Sequence, residues 1–164
     1  MEFEEFAAHR LPAVLRFAAV LTGDRAQAED VVQEVLIRAY PRWRHIERMD
    51  RPEDYVRKMV LNEFLSWRRR SWRVSPAGRD LEVEPGPDHA VGYVEREAIV
   101  RELAKLPRRQ RAVLVLRFYE GFSETEIAGV LGCRPATVRG YSARALATLR
   151  AALGEHASEV MQEG

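Results

Sequence analysis

Ser123-Glu124-Thr125-Glu126-Ile127-Ala128-Gly129-Val130-Leu131-Gly132-Cys133-Arg134-Pro135-Ala136-Thr137-Val138-Arg139 holds the start of one helix, its stop and the start of the next within seventeen residues. Ser123 with Glu126 three residues later fits a capping box, in which each side chain reaches the other's backbone N–H. That predicts a short helix over 124–131, stopped by Gly132. Pro135 suits the first turn of the next helix, because its missing N–H has no intrahelical partner to lose there. The second helix is expected to run to about Leu153, with Val138, Tyr141, Ala145, Leu146 and Leu149 at core spacing. A short capped helix, a Gly-containing turn and a longer Arg-bearing helix have the form of a helix-turn-helix. With Val138, Tyr141 and Ala145 facing inward, Arg134, Thr137, Arg139, Gly140 and Arg144 point outward, and Ser142 is left free. The first turns of such a helix fit the major groove end-on, carrying side chains to base edges while flanking arginines hold phosphates. The same pattern also suits a plain helical hairpin with solvated arginines.

Outward from this stretch the pattern stays helical. Pro107 opens a helix through about Phe118, after one from roughly Val91 to Leu106. Before these lies Ser75–Asp88, with three prolines, two glycines, acidic residues and little to bury, the composition of a flexible linker. N-terminal to the linker, Phe6, Leu11, Val14, Leu15, Ala18 and Leu21 predict a helix over 3–21, with Pro12 expected to kink or restart it. Thr22-Gly23 stops it and Asp24 can cap the next. There Ala28, Val31, Val32, Val35, Leu36, Ala39 and Tyr40 form one broad apolar stripe. A third helix starts at Pro52, where Glu53 and Asp54 suit the positive end of its dipole, and runs into an Arg-rich end. The fold class is all-α: two small helical domains joined by a flexible linker, the second a helix-turn-helix. The expected boundaries are 1–73, a linker over 74–90, 91–153 and an acidic tail over 154–164.

Charge follows this division. The net charge is +1, yet 41–73 and 99–150 each carry ten basic residues against five and four acidic ones, and 74–98 carries two against six. Of the 26 basic residues 24 are arginine, whose flat fork of donors suits phosphates and guanine edges. No run approaches the ~18–20 apolar residues of a membrane span, and Met1–Glu5 lacks the cationic start of a signal peptide, so a cytoplasmic chain is expected. Cys133 is alone, which excludes an internal disulfide and a multi-cysteine zinc site. His9, His45, His89 and His156 are far apart in sequence, and no phosphate or dinucleotide loop is present. Neither a metal, a cofactor nor a catalytic centre is expected.

Two further features carry meaning. Trp67, Arg68, Arg69, Arg70, Trp72 and Arg73 interleave aromatics with cations one to two turns after Asn62. Aromatic faces stack on unpaired bases while arginines track a backbone. Trp43, Arg44 and His45 fall in an expected loop. Either tryptophan, Trp43 or Trp67, also suits the core, with the arginines as a solvated helix end. The second feature is the acidic stripe Glu29, Asp30, Gln33, Glu34. It is either the wet face of an amphipathic helix or a surface for a basic protein partner.

Ala28-Glu29-Asp30-Val31-Val32-Gln33-Glu34-Val35-Leu36, then Trp43, then Asn62 ahead of the Arg-rich end, resembles the second conserved domain of a bacterial sigma factor. Leu106-Pro107-Arg108-Arg109-Gln110-Arg111-Ala112-Val113, Tyr119–Ala128, Leu131-Gly132-Cys133, Thr137-Val138-Arg139 and Arg144-Ala145 resemble the fourth. With a linker in place of the third domain, the chain resembles the extracytoplasmic-function (ECF) group of the sigma-70 family, and Ser66–Arg73 its actinobacterial SigE-type branch. The resemblance implies that Glu29, Asp30, Gln33 and Glu34 meet the clamp helices of the RNA polymerase core's largest subunit. It implies that Asn62, Trp67, Arg68, Arg69, Arg70 and Arg73 engage the −10 element, and Arg134, Thr137, Arg139, Gly140 and Arg144 the −35 element. Its implied partners are core polymerase, promoter DNA and an anti-sigma factor. A free-standing helix-turn-helix regulator is the alternative; it leaves the acidic stripe and the 62–73 cluster unassigned.

Overall fold

The computed structural model describes residues 1–66 and 93–162, with side chains over 1–66 and 97–155. The chain divides into two compact units, Met1–Val83 and Glu84–Gly164. Among the described residues every regular element is helical. The expected linker, together with Trp67, Arg68, Arg69, Arg70 and Arg73, lies outside the described residues.

In the first unit α1 (Phe3–Thr22), α2 (Arg25–Ala39) and α4 (Pro52–Ser66) pack on one another, with a 3-10 turn, Tyr40–Arg42, and the short α3 (Trp43–Ile46) between them. Phe6, Val14, Phe17, Ala18 and Leu21 of α1 are buried with Val31, Val35, Val56, Val60 and Phe64. The punctuation works as expected: Gly23 closes α1 at φ +69°, and the Asp24 side chain accepts the Gln27 N–H at 3.1 Å. Pro12 neither ends nor restarts α1, which runs unbroken through it. Its ring and the Ala8 turn that loses a donor both face solvent, so water can satisfy the freed carbonyl.

Trp43 lies in α3, buried, where a loop was expected. Its indole N–H donates to the Met1 carbonyl at 3.0 Å, and its ring meets Phe6 at 4.7 Å and Phe3 at 5.4 Å. Of its two readings the core one holds. Tyr40 departs the other way: expected inside, it is 60 % exposed. The chain tightens into the 3-10 turn there, and the phase of the α2 stripe is lost.

The second unit joins α5 (Tyr93–Lys105), α6 (Arg108–Leu114), a π-helical turn (Val115–Tyr119), α7 (Glu124–Leu131) and α8 (Pro135–Gln162). Leu103, Leu106, Leu114, Ala145 and Leu149 form a shared core. Six consecutive residues, Arg111 to Leu116, are buried, so this helix is covered all round rather than amphipathic. The π turn then brings Phe118 and Tyr119 to the surface. α8 continues through the segment expected as a tail, since the run 145–153 is mostly the strong helix formers alanine and leucine and Gly154 alone costs only ~1 kcal/mol against Ala.

Arg111 holds the α5–α6 corner. Its Nη2 donates to the carbonyls of Ala104 at 2.8 Å and Leu106 at 3.0 Å, acceptors at the end of α5 that have lost their helical donors. Burial, helped by the neighbouring Arg108 charge, pushes its pKa down to about 10, so it stays cationic at neutral pH. Arg111→Ala strands two carbonyls and opens a void, and is expected to destabilise this unit by ~2 kcal/mol. Faster amide exchange across α5, α6 and α8 is the expected outcome; unchanged exchange would mean the carbonyls find other donors.

Candidate nucleic-acid interface

The corner between α7 and α8 is fixed by local chemistry before any long-range packing. Ser123 Oγ accepts the Glu126 N–H at 3.1 Å and Glu126 Oε1 accepts the Ser123 N–H at 3.3 Å, a complete capping box. Gly132 ends α7 at φ +67°, a conformation that strains any residue with a Cβ. The Cys133 N–H donates to the Ala128 carbonyl at 3.1 Å, and the Arg134 carbonyl accepts from Thr137 and Val138 to start α8. Ile127, Ala128, Val138, Ser142 and Ala145 are buried between the two helices and the core behind them. Ser142, expected to be free, therefore faces inward, because the buried stripe runs 138, 142, 145, 149 and leaves Tyr141 only half-buried.

Arg134, Thr137, Arg139 and Arg144 are all exposed on the remaining face. Two of these arginines have internal contacts. Arg139 Nη1 donates to Glu124 Oε2 at 3.2 Å, and the other oxygen of that carboxylate accepts from Arg117 Nη1, also at 3.2 Å. The Arg144 guanidinium lies 5.4 Å from the Tyr141 ring centroid, within cation–π range. It also lies over Gly140, where a Cβ would sit 3.6 Å from Arg144 Nη1. That distance is ordinary contact, so Gly140 leaves room above the helix without being sterically required.

The first unit offers two faces. On α4, Asn62 is exposed and its neighbour Glu63 is 4 % exposed. Arg38 joins Glu63 at 2.8 Å to Glu34 at 3.0 Å, so one guanidinium links the acidic face of α2 to the buried carboxylate beside Asn62. On α2, Glu29, Asp30 and Gln33 are exposed and Glu34 half-buried; Glu29 also faces Arg25 at 3.4 Å. Beside them runs an open groove of about 610 Å³ between α1 and α2, lined by Leu11, Leu15, Leu36, Ile37 and Tyr40 together with Glu29 and Gln33 of the acidic stripe. Ile37, 61 % exposed, is an apolar residue on the acidic side of α2. The pattern 30, 33, 34, 37 holds that signal, and reading α2 as a clean two-faced helix hides it. The Glu124 pairing has no such signal, since it joins residues fifteen apart.

The comparisons with known proteins follow this division. Family models described as Sigma-70 region 2 and Sigma-70, region 4 match residues 6–74 and 96–149. The chain is 35% identical over 150 residues to the RNA polymerase sigma-E factor of Streptomyces coelicolor, covering 92% of this chain and 85% of that one. It is 36% identical over 148 residues to the ECF RNA polymerase sigma factor SigL of Mycobacterium tuberculosis, covering 85% and 82%. Among solved structures, the sigma factor RpoE bound to the anti-sigma factor NepR from Bartonella quintana superposes with a TM-score of 0.70 at 25% identity, covering 93% of this chain and 96% of that one. CnrH, solved with the cytosolic domain of CnrY, shares the fold at a TM-score of 0.58 and 24% identity, covering 93% and 88%.

Because a Cβ at 140 would meet only the end of the Arg144 side chain, at ordinary contact distance, Gly140→Ala is expected to stabilise the second unit by ~0.5–1 kcal/mol through helix propensity. A rise in its unfolding midpoint checks this. A fall would mean that Arg144 cannot give way.

Proposed function

The chain belongs to the sigma-70 family and is an RNA polymerase sigma factor of the ECF kind, and from that premise we propose which surfaces meet its partners. Residues 91–153 read the −35 element through Arg134, Thr137, Arg139 and Arg144, with Gly140 leaving space for Arg144 against the helix. The single observation that carries this is the α7–α8 corner, whose capping box and left-handed Gly132 fix the exposed arginine face on a rigid support. Base edges are read by the first turns of α8 and phosphates by the flanking cations.

Residues 1–73 engage core polymerase and the −10 element. Glu29, Asp30, Gln33 and Glu34 form the acidic face offered to the clamp helices of the largest subunit. The groove walled by Ile37 and Tyr40 supports this reading by setting apolar area beside the charge, a combination that suits a protein partner better than a nucleic acid. Asn62, with Trp67, Arg68, Arg69, Arg70 and Arg73, takes the −10 strand, where stacking and cations stabilise an opened strand. Residues 74–90 tether the two readers, which makes the second DNA contact intramolecular and lets two weak sites act as one specific reader.

The chain makes and breaks no bond of its own in this reading and works in the cytoplasm beside the polymerase. Among the described residues no helix is long and apolar enough to cross a membrane, and no group of acidic, histidine or cysteine side chains could hold a metal. The solved relatives RpoE and CnrH are bound to NepR and CnrY, which supports an anti-sigma partner for this chain as well.

Asp30→Arg combined with Gln33→Arg reverses the face while leaving the Glu34–Arg38–Glu63 chain in place. Two like-charge contacts with a basic partner are expected to weaken core-polymerase binding at least ~100-fold, with helicity unchanged by circular dichroism. Undiminished binding by the folded variant would remove the core-binding role from α2. A free-standing regulator would bind its operator with the same affinity whether or not core enzyme is present.

A further inference from the structure

The Glu124 carboxylate is shared between Arg117, from the π-helical turn, and Arg139, on the face of α8 assigned to DNA. Each arginine gives it one Nη1 at 3.2 Å, one to each oxygen, so neither pair is a bidentate fork. An arginine has five N–H donors, and a guanine edge takes two of them in parallel. A tether through Nη1 alone leaves the Nε–Nη2 edge of Arg139 available for such a pair. The Arg139 side chain is 61 % exposed and that of Glu124 29 %, so the tether is only partly desolvated and adds little to stability by itself. Its carboxylate sits in the first turn of α7, where the helix dipole favours negative charge. Its place there does not depend on the capping box, which Ser123 and Glu126 complete by themselves.

We propose that Glu124 is the positioning residue that sets the specificity of the DNA-reading helix. It narrows the directions in which Arg139 points its remaining donors. It also cancels one of the two positive charges of the Arg117–Arg139 pair, which would otherwise attract phosphate regardless of sequence. The proposal rests on the assignment of α8 to the −35 element.

The test uses the full chain assembled with core polymerase, comparing promoters with cognate and scrambled −35 elements over a range of salt concentrations. Glu124→Gln removes the charge and keeps the size. Binding to the scrambled promoter is expected to tighten, its logarithmic salt slope to steepen by about one as a released arginine gains a phosphate, and the cognate-to-scrambled ratio to fall about tenfold, as for one lost base contact. Glu124→Asp, which retains the charge, is expected to recover part of the ratio and the original slope. Arg139→Ala serves as the reference. If it lowers the ratio while Glu124→Gln leaves ratio and slope unchanged, the positioning role is overturned and the −35 assignment stands. If neither variant changes the ratio, both fall together.

Discussion

The angle at which α7 meets α8 is the constraint on which the DNA-reading half depends. An arginine side chain is long and flexible, and it reads a base only when the helix carrying it is held against a rigid neighbour. Here that rigidity comes from a short run of sequence. The capping box starts α7, Gly132 turns the chain through a left-handed residue, and the Arg134 carbonyl collects the first amides of α8. Burial of Ile127, Val138 and Ala145 then locks the corner. The arginines gain their direction from apolar contacts on the far side of their own helix.

A second theme is the use of charge inside the protein to manage charge outside it. Glu124 holds Arg139, on the face proposed for DNA, together with Arg117 of the π-helical turn, and Arg38 holds a buried glutamate beside Asn62 together with a member of the acidic face. The Glu124 pairs are too exposed to contribute much stability, whereas Arg38 compensates a carboxylate that is almost fully buried, and its loss would strand that charge. The effect of the Glu124 pairs is on orientation and on net local charge. Arg111 is the contrast, a buried cation spent on two orphaned carbonyls and unavailable to DNA.

Much of this was legible in the sequence because the signals were local. Asp24, Pro52, Ser123 with Glu126, Gly132 and Pro135 each fix one end of a helix through their own backbone chemistry, and each stands where it was expected. The exposed positions Thr137, Arg139 and Arg144 follow from helical period, and Arg134 from its place just ahead of Pro135. What escaped depends on neighbours distant in sequence or on small changes of helical phase. Ser142 is inside because the buried stripe drifts by one position, and Tyr40 is outside because the chain tightens into a 3-10 turn. Trp43 is placed by a carbonyl forty-two residues away. The groove beside α2 exists because Leu11 and Leu15 of α1, which share the apolar period of Val14 and Ala18, stop short of full burial.

As proposed, the chain is two readers that act through one polymerase. Initiation reconstituted from purified core enzyme and genomic fragments measures that most directly. Addition of this chain is predicted to direct initiation to a limited set of start sites, each preceded by two fixed-spacing elements, with the upstream element lost as a determinant when Arg139 and Arg144 are both replaced by alanine. Initiation that is indifferent to the chain, with core enzyme proven active on a control sigma factor, would contradict it.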